Sequence, residues 1–464
     1  MTRYLDPDPG FDRRIADWLE VDPGHAPVQV LETVLAAFPS IPQRTRRLPR
    51  RAPTMVRFAY VAAAAVAVVA VVAIAVGGLL EAPRPSGGPA VPATASPGPS
   101  VSPSVRSPAP STPAATARPT VSAMWTATGD MVEIRFGASA TLLPNGDVLV
   151  AGGSPRFNRG GITRATAELY DPSTGRWTLT GSMREARQDH SAVLLANGKV
   201  LVLGGNASDG GPARLLSSAE LYDPSTGTWT DTGRLLSART NATATLLADG
   251  RVLVAGGVSS SADRPERSAE VYDPATGTWA KTSAMRVARN GHTATLLPDG
   301  HVLVTGGQCC SDPAVASSEL YDPISGTWTA TGALDSARRN HAAVLLSNGK
   351  VLVYGGDDGN SASPAITTAE LYDPATGMWV ATGSPGSPGN TLEGQAVRLS
   401  DGRVAAIGLG AHELYAPTSG SWSAIVGGPD IGGPIVHTAT LLVDGRILVT
   451  YEPASVLFDP NGTP

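Results

Sequence analysis

Residues 192–205, Ala-Val-Leu-Leu-Ala-Asn-Gly-Lys-Val-Leu-Val-Leu-Gly-Gly, and after a loop residues 219–229, Ala-Glu-Leu-Tyr-Asp-Pro-Ser-Thr-Gly-Thr-Trp, decide the fold. The same pattern returns about every fifty residues from residue 138 to the end of the chain, the signature of a repeat architecture. Tryptophans mark the period at Trp125, Trp177, Trp229, Trp279, Trp328, Trp379 and Trp422, and double glycines at 152–153, 204–205, 256–257, 306–307 and 355–356. Each unit reads as four short strands: ATLL, VLVxGG, AELYDP and GxWT. An Asn-Gly or Asp-Gly pair separates the first two strands, at Asn145, Asn197, Asp249, Asp299, Asn348, Asp401 and Asp444. Such pairs tolerate the positive φ of both positions in a type I′ turn, so seven tight hairpins and therefore seven blades are predicted. Asp-Pro-x-Thr-Gly joins the third and fourth strands, with proline presetting φ for a turn and glycine relieving it.

The last unit ends at Ser455-Val-Leu-Phe-Asp-Pro without a tryptophan strand, whereas Trp125-Thr-Ala-Thr-Gly stands before the first hairpin without a blade of its own. That segment is expected to complete blade seven and close the ring, which removes exposed sheet edges. Gly-Gly, Tyr and Trp at these offsets resemble the kelch repeat, as in the central propeller of galactose oxidase and in many bacterial surface proteins. The resemblance covers residues 124–464 and implies an all-β, seven-bladed kelch-type propeller. Blades six and seven, with IGLGAHELYAPTSGSW and VTYEPASVLFDP, have lost the double glycine.

Ahead of the propeller the composition changes three times. Residues 1–57 hold two helical patterns, with Ile15, Trp18 and Leu19 and then Val30, Leu31, Val34, Leu35 and Phe38 as apolar stripes. Residues 58–80 form an uncharged apolar run long enough to cross a bilayer as a helix. Arg44, Arg46, Arg47, Arg50, Arg51 and Arg57 precede it without an acid among them, which puts the N-terminus in the cytoplasm and the propeller outside the cell membrane. A cleaved signal peptide would carry a shorter apolar region and a shorter leader, so an uncleaved anchor is favoured. Residues 81–122 are Pro, Ser, Ala and Thr-rich and read as an extended linker. Residues 123–464 are the propeller. The stripes in 1–57 are expected to pack on each other or the membrane, or to dock a cytosolic protein, as in a transmembrane sensor or anti-sigma-like regulator.

Chemistry is sparse. The first-to-second and third-to-fourth turns share one face of the ring, so the second-to-third loops and the blade crossings share the other. There the loops from Ser154 to Arg164, Asn206 to Leu216, Val258 to Arg267, Gln308 to Ser317 and Asp357 to Ile366 carry the variation, and loops on a rigid scaffold are where binding resides. A recurring A-R-x-x-H places Arg187 with His190, Arg289 with His292 and Arg338 with His341, while Arg239 has Ala242 instead and His437 lacks its arginine. These residues form a candidate ring for an acidic or polar ligand. The competing reading makes the arginines structural, paired between blades with the repeated Glu168, Glu220, Glu270, Glu319 and Glu370, and it is the stronger because every blade carries them.

The resemblance to galactose oxidase does not carry its activity, because the only cysteines, Cys309 and Cys310, are adjacent in a loop and the chain stops where a ligand-bearing C-terminal domain would begin. Asp357-Asp358-Gly-Asn360 lacks a calcium-loop pattern and reads as a solvated turn. No cofactor or metal is expected, and an oxidase-like enzyme is the least favoured function. From residue 123 onward 23 Arg and Lys face 32 Asp and Glu, a net of −9, which disfavours nucleic acid. Only three lysines occur, and with Ala, Gly and Pro abundant this points to a GC-rich bacterial genome. The expected role is a membrane-anchored recognition module for a protein or glycan.

Overall fold

The computed structural model describes residues 120–122, 124–156, 161–259, 264–309, 313–360, 363–386, 395–408, 412–426, 438–451 and 454–462. The predicted helices in 1–57, the span at 58–80 and the linker up to residue 119 lie outside the described residues. Among the described residues no helix is long and apolar enough to cross a membrane.

Seven antiparallel sheets carry the repeat. Blade two, for example, runs Ser191–Leu194, Val200–Leu203, Ala219–Asp223 and Thr228–Asp231 from the centre outward. The innermost strands pack side by side around the axis, and that of blade seven, Thr438–Leu441, packs on that of blade one, Ser139–Leu142. Met124–Ala127 pairs antiparallel with Ser455–Asp459, placing Trp125 opposite Phe458, so the N-terminal strand closes the ring as its sequence implies. Composition assigns Thr120–Ser122 to the linker. It instead adds a fifth, parallel strand to the outer edge of blade six against Ala424, Ile425 and Val426.

The hydrophobic core lies between blades. Every second strand is buried on both faces, which is why Val-Leu-Val reads as a continuous apolar run. Side chains alternate along it: Leu201 and Leu203 of blade two pack against Val252 and Val254 of blade three, and Leu253 and Ala255 of blade three against Val302 and Val304 of blade four. Leu448 of blade seven meets Val148 and Val150 of blade one, completing the circuit. At about 1.5–3 kcal/mol per fully buried aliphatic side chain, these layers dominate the stabilisation.

Tyrosine and tryptophan fasten the outer part of six of the seven interfaces, Phe458 and Trp125 making no such bonds between blades six and seven. Tyr222 Oη and Thr180 Oγ1 lie 2.8 Å apart, and Trp229 Nε1 donates to the Gly181 carbonyl at 2.8 Å, both partners belonging to the end of blade one. Equivalent bonds recur at Tyr170, Tyr272, Tyr321, Tyr372 and Tyr415 and at Trp177, Trp279, Trp328, Trp379 and Trp422.

The hairpins correct the predicted turn type. Leu195 N–H donates to Lys199 O and Gly198 N–H to Leu195 O, so the loop is Ala196-Asn197-Gly198, three residues long. Only the glycine has positive φ, 81° at Gly198, and Asn197 Oδ1 accepts Lys199 N–H at 3.1 Å. This is a type I turn closed by a glycine bulge rather than a type I′ turn. The residue before Asn or Asp joins the loop, so the same dipeptide serves a different geometry. All seven hairpins share it.

Candidate functional site

The five repeated arginines are fully buried, counting Arg135 of blade one, which the A-R-x-x-H pattern misses because Ile134 precedes it and Ala138 stands at the histidine position. Arg187 Nη2 lies 2.8 Å from Glu220 Oε1, while its Nη1 donates to the carbonyls of Gly204 and Ser218. The same glutamate accepts the backbone N–H groups of Arg184 and Glu185 at 2.7 and 3.2 Å. Arg135 pairs likewise with Glu168, Arg239 with Glu270, Arg289 with Glu319 and Arg338 with Glu370, at 2.7–2.9 Å. Burial pulls the pKa of Arg187, Arg289 and Arg338 down, and the facing glutamate pulls it back up. Each pair therefore lies within one blade, not between two, and clamps the incoming crossing to that blade's third strand. A guanidinium so committed is not offered to a ligand.

The histidines make the inter-blade ties instead. His190 Nε2 lies 2.8 Å from Ser139 Oγ of blade one, His292 Nε2 3.1 Å from Thr243 Oγ1 of blade three and His341 Nε2 2.9 Å from Thr293 Oγ1 of blade four. Burial first, and the neighbouring arginine second, push all three down to about 3, so they are neutral at physiological pH. His437 and Cys310 lie outside the described residues, and Cys309 is half-buried in its loop. Asp357 and Asp358 accept the N–H groups of Gly359 and Asn360, as a turn requires. Among the described residues no cluster of His, Cys, Asp or Glu is arranged to hold a metal.

What remains open is the mouth of the central channel on the crossing face, a cavity of about 510 Å³. Two residues after each buried arginine the chain turns left-handed: Gly137, Asp189, Asn241, Gly291 and Asn340 have φ between 52° and 66°. Asp189 N–H donates to Gly137 O at 2.8 Å, Asn241 N–H to Asp189 O at 3.2 Å and Asn340 N–H to Gly291 O at 2.7 Å, linking the positions around the rim. The cue in the sequence was Arg-x-(Gly, Asp or Asn), the residues that tolerate positive φ. Asn290, Gln308 and Arg339, together with Thr243 and the predicted His190 and His292, complete the polar lining, with Arg339 held by Asp357 at 2.6 Å.

A second hollow, about 620 Å³, lies between the variable loops of blades one and two. Thr163 and Ser208 staple those loops through backbone and hydroxyl bonds of 2.9–3.1 Å, and Asn206–Ala207 pairs with Arg214–Leu215 as a small hairpin. Ile162, Arg184 and Arg214 stand around it, 61%, 79% and 65% exposed by residue or side chain.

Comparison with known proteins agrees with this architecture. Residues 137–356 match the KLHDC2/KLHL20/DRC7 kelch-repeats domain, and residues 338–385 the kelch motif. The chain is similar to an F-box/kelch-repeat protein of Arabidopsis thaliana, 34% identical over 25% of this chain and 30% of that protein. It is also similar to the spermatocyte protein spe-26 of Caenorhabditis elegans, 30% identical over 23% of this chain and 18% of that one. Kelch-like protein 23 of Mus musculus is 40% identical over 17% of this chain and 13% of its own length. The chain thus spans less than a third of each relative. A solved fungal alcohol oxidase of the AA5 family, in complex with copper, superposes with TM-score 0.58 at 19% identity over 73% of this chain and 76% of its own. The structure of YjhT does so with TM-score 0.51 at 12% identity, over 64% of this chain and 98% of that one. At these identities the two structures show a shared fold alone.

Proposed function

We propose that this seven-bladed propeller of kelch repeats is a recognition module that binds a protein or glycan through its crossing face, and is not an enzyme. One observation carries the reading. The residues repeated from blade to blade are consumed by the scaffold, as Arg187 with Glu220 illustrates, while the sequence varies in the second-to-third-strand loops, of which Gln308 reaches the channel mouth and Ile162, Asp209 and Arg214 line the neighbouring hollow. In this reading residues 58–80 hold the protein in a cell membrane with the N-terminus cytoplasmic, and residues 81–119 hold the propeller away from the surface. The entry of Thr120–Ser122 and Met124–Ala127 into blades six and seven supports a tether that ends firmly in the ring.

The test is a surface-proteome and glycan-array screen with the full chain, repeated after the five loops are shortened to Gly-Ser turns. Binding that appears and is lost with the loops supports the reading. Binding that survives their removal moves the site to the turn face. Protease treatment of intact cells checks the placement: the propeller is expected to be digested and residues 1–57 protected.

A further inference from the structure

Each blade of a propeller ends in a sheet edge at the outer circumference of the ring, and the edges of this chain are not alike. Blade six is covered by Thr120–Ser122. The outermost strands of blades one, two and three carry Arg176, Asp231 and Lys281, and a charge on an edge discourages further pairing. Blade four ends in Thr327–Thr331, whose exposed side chains are Thr327, Thr329 and Ala330. Blade five ends in Met378–Thr382, an uncharged strand that forms the outer edge of its sheet and leaves Met378 63% and Val380 51% exposed. Residues two apart on a strand point to one face, so these two side chains adjoin beside an open edge.

The chain itself narrows what covers that edge. Proline interrupts residues 81–119 so often that the longest proline-free run is 114–118, which leads directly into the strand on blade six. A second copy of the edge fits better. Antiparallel pairing about a two-fold axis at Val380 sets that valine against its own counterpart, Trp379 against Ala381 and Met378 against Thr382, and no charge meets its like. One strand pair buries far less than the roughly 1,200–2,000 Å² of a stable interface, so it needs copies held at high local concentration. A membrane tether supplies that condition.

We infer that blade five is a self-association edge, through which two copies of the chain on one membrane pair antiparallel along Met378–Thr382. The inference rests on the membrane-tether reading and adds a partner to it. Antiparallel pairing points the two crossing faces in opposite directions, so both stay open to ligand.

The test is cysteine cross-linking in membranes from cells that make the full chain with Cys309→Ser and Cys310→Ser. Val380→Cys is expected to give a disulfide-linked dimer on mild oxidation, and Thr329→Cys, the equivalent position of blade four, about tenfold less. Met378→Lys with Val380→Lys changes two exposed side chains, so the melting temperature is expected to hold while co-purification of two differently tagged copies falls about tenfold or more. Absence of the Val380→Cys dimer, equal cross-linking at the two positions, a cross-link to a different protein instead, or co-purification untouched by the lysine pair overturns the inference. Any of these with the chain in the membrane fraction leaves the tether reading standing. A chain absent from that fraction removes the tether reading, and the same oxidation of concentrated soluble protein then decides the pairing by itself.

Discussion

Blades one to five and blades six and seven solve the same packing problem with different residues. In the first group a buried glutamate accepts two N–H groups from the crossing and faces a buried guanidinium. In blade seven Val456 occupies the glutamate position, and the crossing before it, residues 427–437, contains no arginine. In blade six Glu413 remains, accepting Gly386 N–H at 2.9 Å, yet residues 383–395 again lack arginine. Arginine is therefore dispensable where the blade is held another way. Blade six gains the parallel strand Thr120–Ser122, and blade seven, whose Trp125–Phe458 pair at 4.6 Å repeats the tyrosine–tryptophan pair of the other blades, adds His412 of blade six, 4.7 Å from Trp125, ring centre to ring centre. The lesson is that the ion pair is a scaffold device, and that taking one partner from an existing pair leaves a buried charge, which costs more than replacing both by apolar residues.

The sharpest way to break this comparison is to remove one partner. Glu220→Ala is expected to lower unfolding free energy by about 3–5 kcal/mol, since Arg187 and two crossing N–H groups lose their acceptor. The double change Arg187→Met with Glu220→Val, which imitates blade seven, is expected to cost clearly less. Urea denaturation of the double variant and of each single variant checks this, and a double loss equal to the sum of the two single losses would mean that the pair is not coupled. Trp125→Ala is expected to cost about 3 kcal/mol by opening the seam that blade seven relies on, measured the same way.

The histidines sharpen the contrast by pH. His190, His292 and His341 sit near 3 when folded and near 6.5 when unfolded, so below about pH 6.5 the unfolded chain takes up protons that the folded one refuses. Stability is expected to fall as pH drops from 6.5 towards 3, by about 1–2 kcal/mol per histidine at pH 5. His292→Ala, which copies Ala242 of blade three, is expected to flatten part of that slope in melts between pH 5 and 7. Asn340→Gly alone is expected to change stability by no more than about 0.5 kcal/mol, because the position is already left-handed.

The architecture was legible because seven repeats of a period-2 pattern leave few alternatives, and Trp125 without a blade implied ring closure. The turn type was not, because Asn-Gly suits two hairpin geometries and the preceding residue decides between them. Arg135 escaped because its flanking residues differ, although Glu168 on the third strand predicted a partner for it. The arginines and histidines of A-R-x-x-H belong to one motif but point to different neighbours, a distinction that spacing alone does not encode. Thr120–Ser122 carries no strand pattern of its own and is ordered by the free edge of blade six.

Hydrogen exchange of the full chain, with and without the ligand found in the binding screen, tests the division between scaffold and site most directly. Protection is expected in the segments Ser154–Arg164 and Asn206–Leu216 and at the rim from Asp189 to Asn340, with the Asn-Gly and Asp-Pro turns of the opposite face unchanged. Protection centred on those turns, with the crossing face unaltered, would contradict the account.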